Sequence, residues 1–221
     1  MANQVVRFLM VLVLTQASHA FAGAWELIDE KDGIKIFKRE EANSNIISFA
    51  GESVIDAAPA TISAVLADHK RKGEWMANLM EARTMHEFSP LSSIVYSAFR
   101  SPGFISNRDF VYKYDFKVDA KTGVVHLAVQ STEQPGSPET VGVRGHLNYS
   151  AYTMEPVGPG KTKFRGEINV DPKGLLPTWL VNITQKSWPY KTLSGLREQV
   201  KKPNIGEHPG IKAELAKIVA H

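Results

Sequence analysis

The chain has 221 residues, 26 Lys and Arg against 23 Asp and Glu, and no Cys. This excludes a disulfide-stapled fold, a thiol nucleophile and a thiolate metal site, while roughly 200 residues suffice for one domain with its own core. The formal charge of +3 is dispersed. Its densest basic stretch, HKRKGEW (His69 to Trp75), is too short for a nucleic-acid surface, and weak attraction to an anionic membrane stays open.

Arg7 precedes the apolar run FLMVLVL, Phe8 to Leu14, and then TQASHAFAGA. A charged start, a short apolar run and small residues before a cut make an export signal, with cleavage after Ala20 or Ala22. The run is too short to span a bilayer. The expected organisation is a signal over 1–22, one domain over 23–202 and a tail over 203–221, with the mature protein periplasmic or secreted.

Asp32-Gly33 is a turn, and the strand after it alternates Ile34 and Ile36 with Lys35. Asn45 to Ile55 is a second strand, forming a hairpin with the first. From Asp56 the period becomes helical: Asp56 can cap, Pro59 suits the first turn, and Ile62, Val65 and Leu66 recur on one face. Gly73 divides this segment into two short helices, the second with Trp75, Met76 and Leu79 on its apolar side. About six strands follow as far as residue 171, separated by Gly, Pro, Ser and Asp, the pattern of an antiparallel meander. Pro177 to Lys201 reads as one long helix, with Pro177 in its first turn and a kink at Pro189. Pro203 and Pro209 set the tail apart, and its end forms one short helix. The class is α+β, a curved antiparallel sheet whose concave face is covered by the C-terminal helix.

Alternation assigns the inward faces. Phe110, Tyr112, Tyr114 and Phe116 share one side, as do Phe164, Gly166, Ile168 and Val170; Arg165, Glu167 and Asn169 face water. Val143, Leu147 and Tyr149 are assigned inward on the strand between. The junction DPKGLLPTWLVN is unusual, because Leu175, Leu176, Trp179, Leu180, Val181 and Ile183 crowd a place where exposure is expected.

SPGFISNRDFVYKYDF, VRG, KTKFRGEINVDPKGLLPTWLVN, Pro189 and LSGLREQV, in this order, resemble the START domain, the steroidogenic-acute-regulatory-protein-related lipid-transfer family. The resemblance runs from about Trp25 to Lys201. It implies a helix-grip fold: a sheet wrapped around the C-terminal helix, with one apolar lipid (sterol, phospholipid or another apolar molecule) in an internal tunnel. It adds Val95, Ser97 and Phe99 to the lining by register, with Leu180 and Ile183 from the helix. The implied gate is Asp171, Gly174, Leu175, Leu176, Pro177 and Trp179, with the loop Val118 to Gly123 as its opposite lip. Cholesterol-carrying members place an acid and an arginine on adjacent inner strands; here those positions hold Val95 and Tyr114, so sterol specificity does not transfer.

No His-Glu-x-x-His or Gly-x-Ser-x-Gly motif is present, and GPGK, Gly158 to Lys161, is a turn rather than a phosphate loop. The expectation is therefore a monomeric, non-catalytic lipid carrier with transient membrane contact, no nucleic acid, no cofactor and no metal. An enzyme acting on an apolar cyclic substrate (cyclase or hydrolase type) is the alternative, for which His126 and His146 are the candidate acid and base. A module that reports ligand occupancy through its tail is a third.

Overall fold

Asp32 and Gly33 adopt positive φ angles of 51° and 68°, the backbone geometry of a two-residue hairpin turn. A strand therefore precedes this turn as well as following it, one more than the residue pattern indicates. The computed structural model describes residues 23–134 and 136–219; the expected signal over 1–22 lies outside the described residues. In chain order the elements are β1 (Glu26–Lys31), β2 (Ile34–Glu41), β3 (Ser44–Ile55), α1 (Pro59–Ala67), β4 (Leu79–Ser89), β5 (Ser92–Phe99) and β6 (Arg108–Val118). Then come β7 (Val125–Ser131), β8 (Val143–Arg144), β9 (His146–Gly158), β10 (Lys161–Asp171), α2 (Thr178–Lys186), α3 (Trp188–Gln199) and α4 (Pro209–Val219).

One open, curved sheet holds the ten strands in the order β1-β2-β3-β10-β9-β7-β6-β5-β4, with β8 added in parallel to β6 and every other pairing antiparallel. The long return from β3, third from one edge, to β4 at the other edge runs through α1. Pro59 opens α1, and Ile62, Val65 and Leu66 are buried. Asp56 does not cap it: Ala58 holds that place without a side-chain bond, and Asp56 pairs with Lys161 at 2.8 Å. The expected second short helix is a single 3-10 turn, Lys72–Glu74, because Leu79 already belongs to β4.

The expected long C-terminal helix is two helices. Pro189 has no N–H for the Gln185 carbonyl, and at Ser187 the bonding tightens to the Thr184 carbonyl, 3.3 Å away. Pro177 sits just ahead of α2 and accepts the N–H groups of Leu180 and Val181 on its carbonyl, rather than lying within the first turn. Nor does the tail stand apart. The His208 N–H donates to the Ala60 carbonyl at 2.9 Å, and Ile211 is buried in the core.

The core lies between the concave face and these helices, with Phe116, Leu127, Met154, Phe164, Leu193 and Leu196 among its members. α3 crosses the sheet at Gly51, where an added Cβ would lie 2.5 Å from Leu193 Cδ1 and 2.8 Å from Pro189 Cβ. Gly51→Ala should therefore destabilise by about 1–3 kcal/mol through overpacking. Gly73→Ala meets nothing within 4 Å and serves as the control in urea denaturation. Equal midpoints for the two variants would contradict the close crossing.

Candidate functional site

Alternation along β6 turns Phe110, Tyr112, Tyr114 and Phe116 onto the concave face. Under the α2–α3 pair this face leaves a cavity of about 320 Å³. From the sheet side Phe99, Phe110, Tyr112, Tyr114, Leu147 and Ile168 line it; from the helix side Leu176, Leu180, Val181, Thr184, Trp188 and Lys191 do. Val95, Ser97 and Phe164 also point inward but sit one layer deeper. The Ser97 hydroxyl meets that of Tyr112 at 2.5 Å, and Phe164 packs against Tyr152 with ring centroids 5.8 Å apart.

Two of the expected lining residues face the other way. The β9–β10 pairing steps from Asn169–Tyr149 to Val170–Leu147, so Asn148 is an extra residue and strict alternation fails there. Leu147 enters the cavity, while Tyr149 lies on the outer face and its hydroxyl accepts from Arg39 at 2.6 Å. The same bulge region buries Asn169, expected in water, where its amide donates to the Ser48 hydroxyl at 2.8 Å. On α2, Ile183 is 61% exposed, because Leu180, Val181 and Thr184 occupy the inner face. His126 and His146 are exposed, so neither reaches the cavity.

α2 is fixed by carboxamides. β3 and β10 pair only as far as Phe49–Ile168 and then part. Beyond that point the Gln185 amide accepts the Val170 N–H at 3.0 Å and donates to the Val170 carbonyl at 3.1 Å. On the opposite strand Asn182 accepts from the Ile47 N–H at 3.0 Å and donates to the Asn45 carbonyl at 3.1 Å.

The segment before α2 forms one lip of the mouth. Asp171 accepts the Lys173 N–H at 2.9 Å, and Lys173 and Gly174 are both left-handed, with φ of 53° and 75°. Leu176 turns into the cavity, Leu175 is fully exposed and Trp179 is 64% exposed. The facing lip is the loop between β5 and β6, which contributes Arg100, Ser101, Pro102 and Ile105 to the lining and leaves Phe104 fully exposed. Residues 118–123, expected in that place, lie by the tail instead: an added Cβ at Gly123 would be 3.7 Å from Leu215. Arg108 joins the lips. Its guanidinium donates to the Ser106 carbonyl on one side and to those of Pro172 (3.2 Å) and Lys173 (3.1 Å) on the other.

At the far end Tyr114 is the wall between this cavity and a second hollow of about 210 Å³, lined by His69, Glu87, Phe116, His208 and Pro209 among others. Behind Tyr114 lies Lys72, 1% exposed, donating to the Tyr114 hydroxyl at 2.8 Å and meeting His69 Nδ1 at 3.1 Å. Burial, reinforced by the Lys72 charge, pushes His69 down to about 3, so the imidazole is neutral and accepts at Nδ1. Sequence reasoning missed Lys72, which reads as part of a solvated basic patch, and the place of Arg108 between the lips. It also missed Ser150 and Tyr152, which line the cavity and share the parity of buried Met154 beyond the bulge.

Burial lowers the Lys72 amine from 10.5 to about 7, against an opposing pull from Asp68. The unfolded chain keeps that proton up to about 10.5, so the group's stability cost is full below pH 7 and is relieved as pH rises from about 7 to 10.5. Lys72→Met, which retains most of the aliphatic stem, should raise the urea midpoint most at about pH 6 and least at about pH 10. A pH-independent difference would mean that the folded protein leaves this amine in water.

The family model for the START domain matches residues 12–204. An uncharacterized Pseudomonas aeruginosa protein is 27% identical over 195 residues, covering 88% of this chain and 95% of that one. The phosphatidylcholine transfer protein of Bos taurus is 26% identical over 171 residues, covering 74% and 78%. Among solved structures, a fragment of the STAR-related lipid transfer protein of Xanthomonas axonopodis superposes with a TM-score of 0.72 at 24% identity, covering 80% of this chain and 99% of that one. With most of its length matched by the family model and its sheet closed over by C-terminal helices, the chain belongs to the START domain family.

Proposed function

We propose that the protein is an exported, non-catalytic and monomeric carrier that holds one lipid in the cavity and exchanges it at a membrane. The observation that carries this reading is the cavity, apolar along most of its lining and roofed by a helix pair whose first part is held by side-chain amides. The names of relatives support it, since the Bos taurus protein is named for phosphatidylcholine transfer. Export rests on Arg7, Phe8 to Leu14 and the small residues around Ala20 and Ala22.

A lipid enters when the lips part, with Asp171 to Pro177 as the hinge and Gly174 as its conformationally free residue. Breaking the Arg108 bonds to the Pro172 and Lys173 carbonyls releases one lip from the other. Phe104, Leu175, Trp179 and Ile183 surround this region as exposed apolar groups, each gaining about 1.5–3 kcal/mol when buried. A bilayer provides that burial, and Lys173, Lys186 and Lys191 add about 1 kcal/mol each on an anionic surface.

Phe104→Glu combined with Leu175→Glu tests the reading, because both side chains are fully exposed and their replacement leaves the core intact. Wild-type protein should move at least one fluorescent lipid, whether a phospholipid, a sterol or a single-chain fatty acid, between anionic vesicles, and the double variant should do so at least roughly tenfold more slowly. No transfer of any lipid by the wild type would refute the carrier; unchanged transfer by the variant would refute membrane contact through these lips.

A further inference from the structure

Resting on the carrier reading, we propose that the inner end of the cavity holds the acidic head group of a single-chain amphiphile through the Tyr114 hydroxyl, with the Lys72 ammonium behind it. Lys72 is buried, yet its two partners, the Tyr114 hydroxyl and the neutral His69 ring, carry no negative charge. No carboxylate among the described residues forms a salt bridge with it. A cation taken out of water without a salt-bridged partner is costly, which is why burial draws this amine down to about 7 despite the pull of Asp68; an anionic ligand supplies the missing charge and keeps the proton on the amine.

Tyr114 delivers this charge to the cavity. Its oxygen accepts from Lys72 at 2.8 Å, while its own hydrogen has no acceptor among the described residues. A phenol polarised in this way donates strongly to a carboxylate or phosphate oxygen. The remaining lining agrees in sign: among the described residues its charged members are Arg100, Arg108 and Lys191, with no Asp or Glu. Charges of one sign on low-dielectric walls select the opposite sign in a ligand. Phe110, Leu147, Ile168 and Leu180 take the chain, and about 320 Å³ lies near the lower end of ligand pockets, which suits one chain rather than two. A neutral sterol would leave the buried cation unanswered, and a choline head would meet cations at the mouth.

Two matched pairs of probes test this: oleic acid against methyl oleate, and 1-oleoyl-lysophosphatidic acid against monoolein. Affinities are read by displacement of a fluorescent fatty acid. The wild type should favour the acid roughly tenfold or more in at least one pair, the difference expected of hydrogen bonding to a charged group. In Lys72→Met the acid-to-neutral ratio should fall towards one, and Tyr114→Phe, which keeps the ring, should lower it too. Equal affinities within both pairs in the wild type, with binding intact, would overturn the inference and leave the carrier standing. A preference unchanged in both variants would overturn it equally. Failure of all four probes and of vesicle transfer would remove the carrier reading along with it.

Discussion

The roof of the cavity depends on two side-chain amides. Where β3 and β10 part beyond Phe49–Ile168, their backbone groups lose strand partners, and Asn182 and Gln185 of α2 bond to Ile47, Asn45 and Val170 in their place. Four such bonds are worth about 0.5–1.5 kcal/mol each net. They hold a helix that buries few of its own residues: within α2 only Val181 and Gln185 are buried. α3, by contrast, is locked by the close approach at Gly51 and by buried Leu193 and Leu196. The break at Ser187 therefore separates a firmly packed helix from one held chiefly by polar bonds, which is the division a roof needs if one half is to lift.

A guanidinium stands at the mouth of the cavity under that roof, and an amine stands behind the Tyr114 wall at its inner end. At the mouth Arg108 has three backbone carbonyls as partners, and at the inner end Lys72 has a phenol and an imidazole. Backbone carbonyls satisfy a guanidinium while leaving its charge uncompensated, so Arg108 can hold the lips together and still draw an anion towards the mouth. Among the described residues one acid is buried: Asp109, for which Arg144, Tyr96, Thr140 and the Val141 N–H account, away from the cavity lining.

The sheet-and-helix plan was legible because its signals are local: two-residue alternation in the strands, helical spacing after Asp56, and turn residues between elements. The departures arise where one residue changes the phase or where tertiary contacts decide. The extra residue Asn148 reversed Tyr149 without any local mark in the sequence. β1 was missed because its burial is slight, with Ile28 alone packed against the core. The segment DPKGLLP could be placed just before α2, but the lip that faces it could not, since only the folded sheet brings the β5–β6 loop opposite it. Lys72 was the hardest case. In HKRKGEW nothing distinguishes it from its neighbours, and the 3-10 turn alone aims it inward while Lys70 and Arg71 stay nearer to solvent.

The central claim is that the space beneath α2 and α3 exists to hold one lipid molecule. Native mass spectrometry of the protein taken from its own host, without detergent, tests it most directly. The account predicts a folded species heavier than the polypeptide alone by the mass of one amphiphile, which solvent extraction recovers. A folded protein at the bare chain mass, with no extractable lipid and no uptake from vesicles, would contradict it.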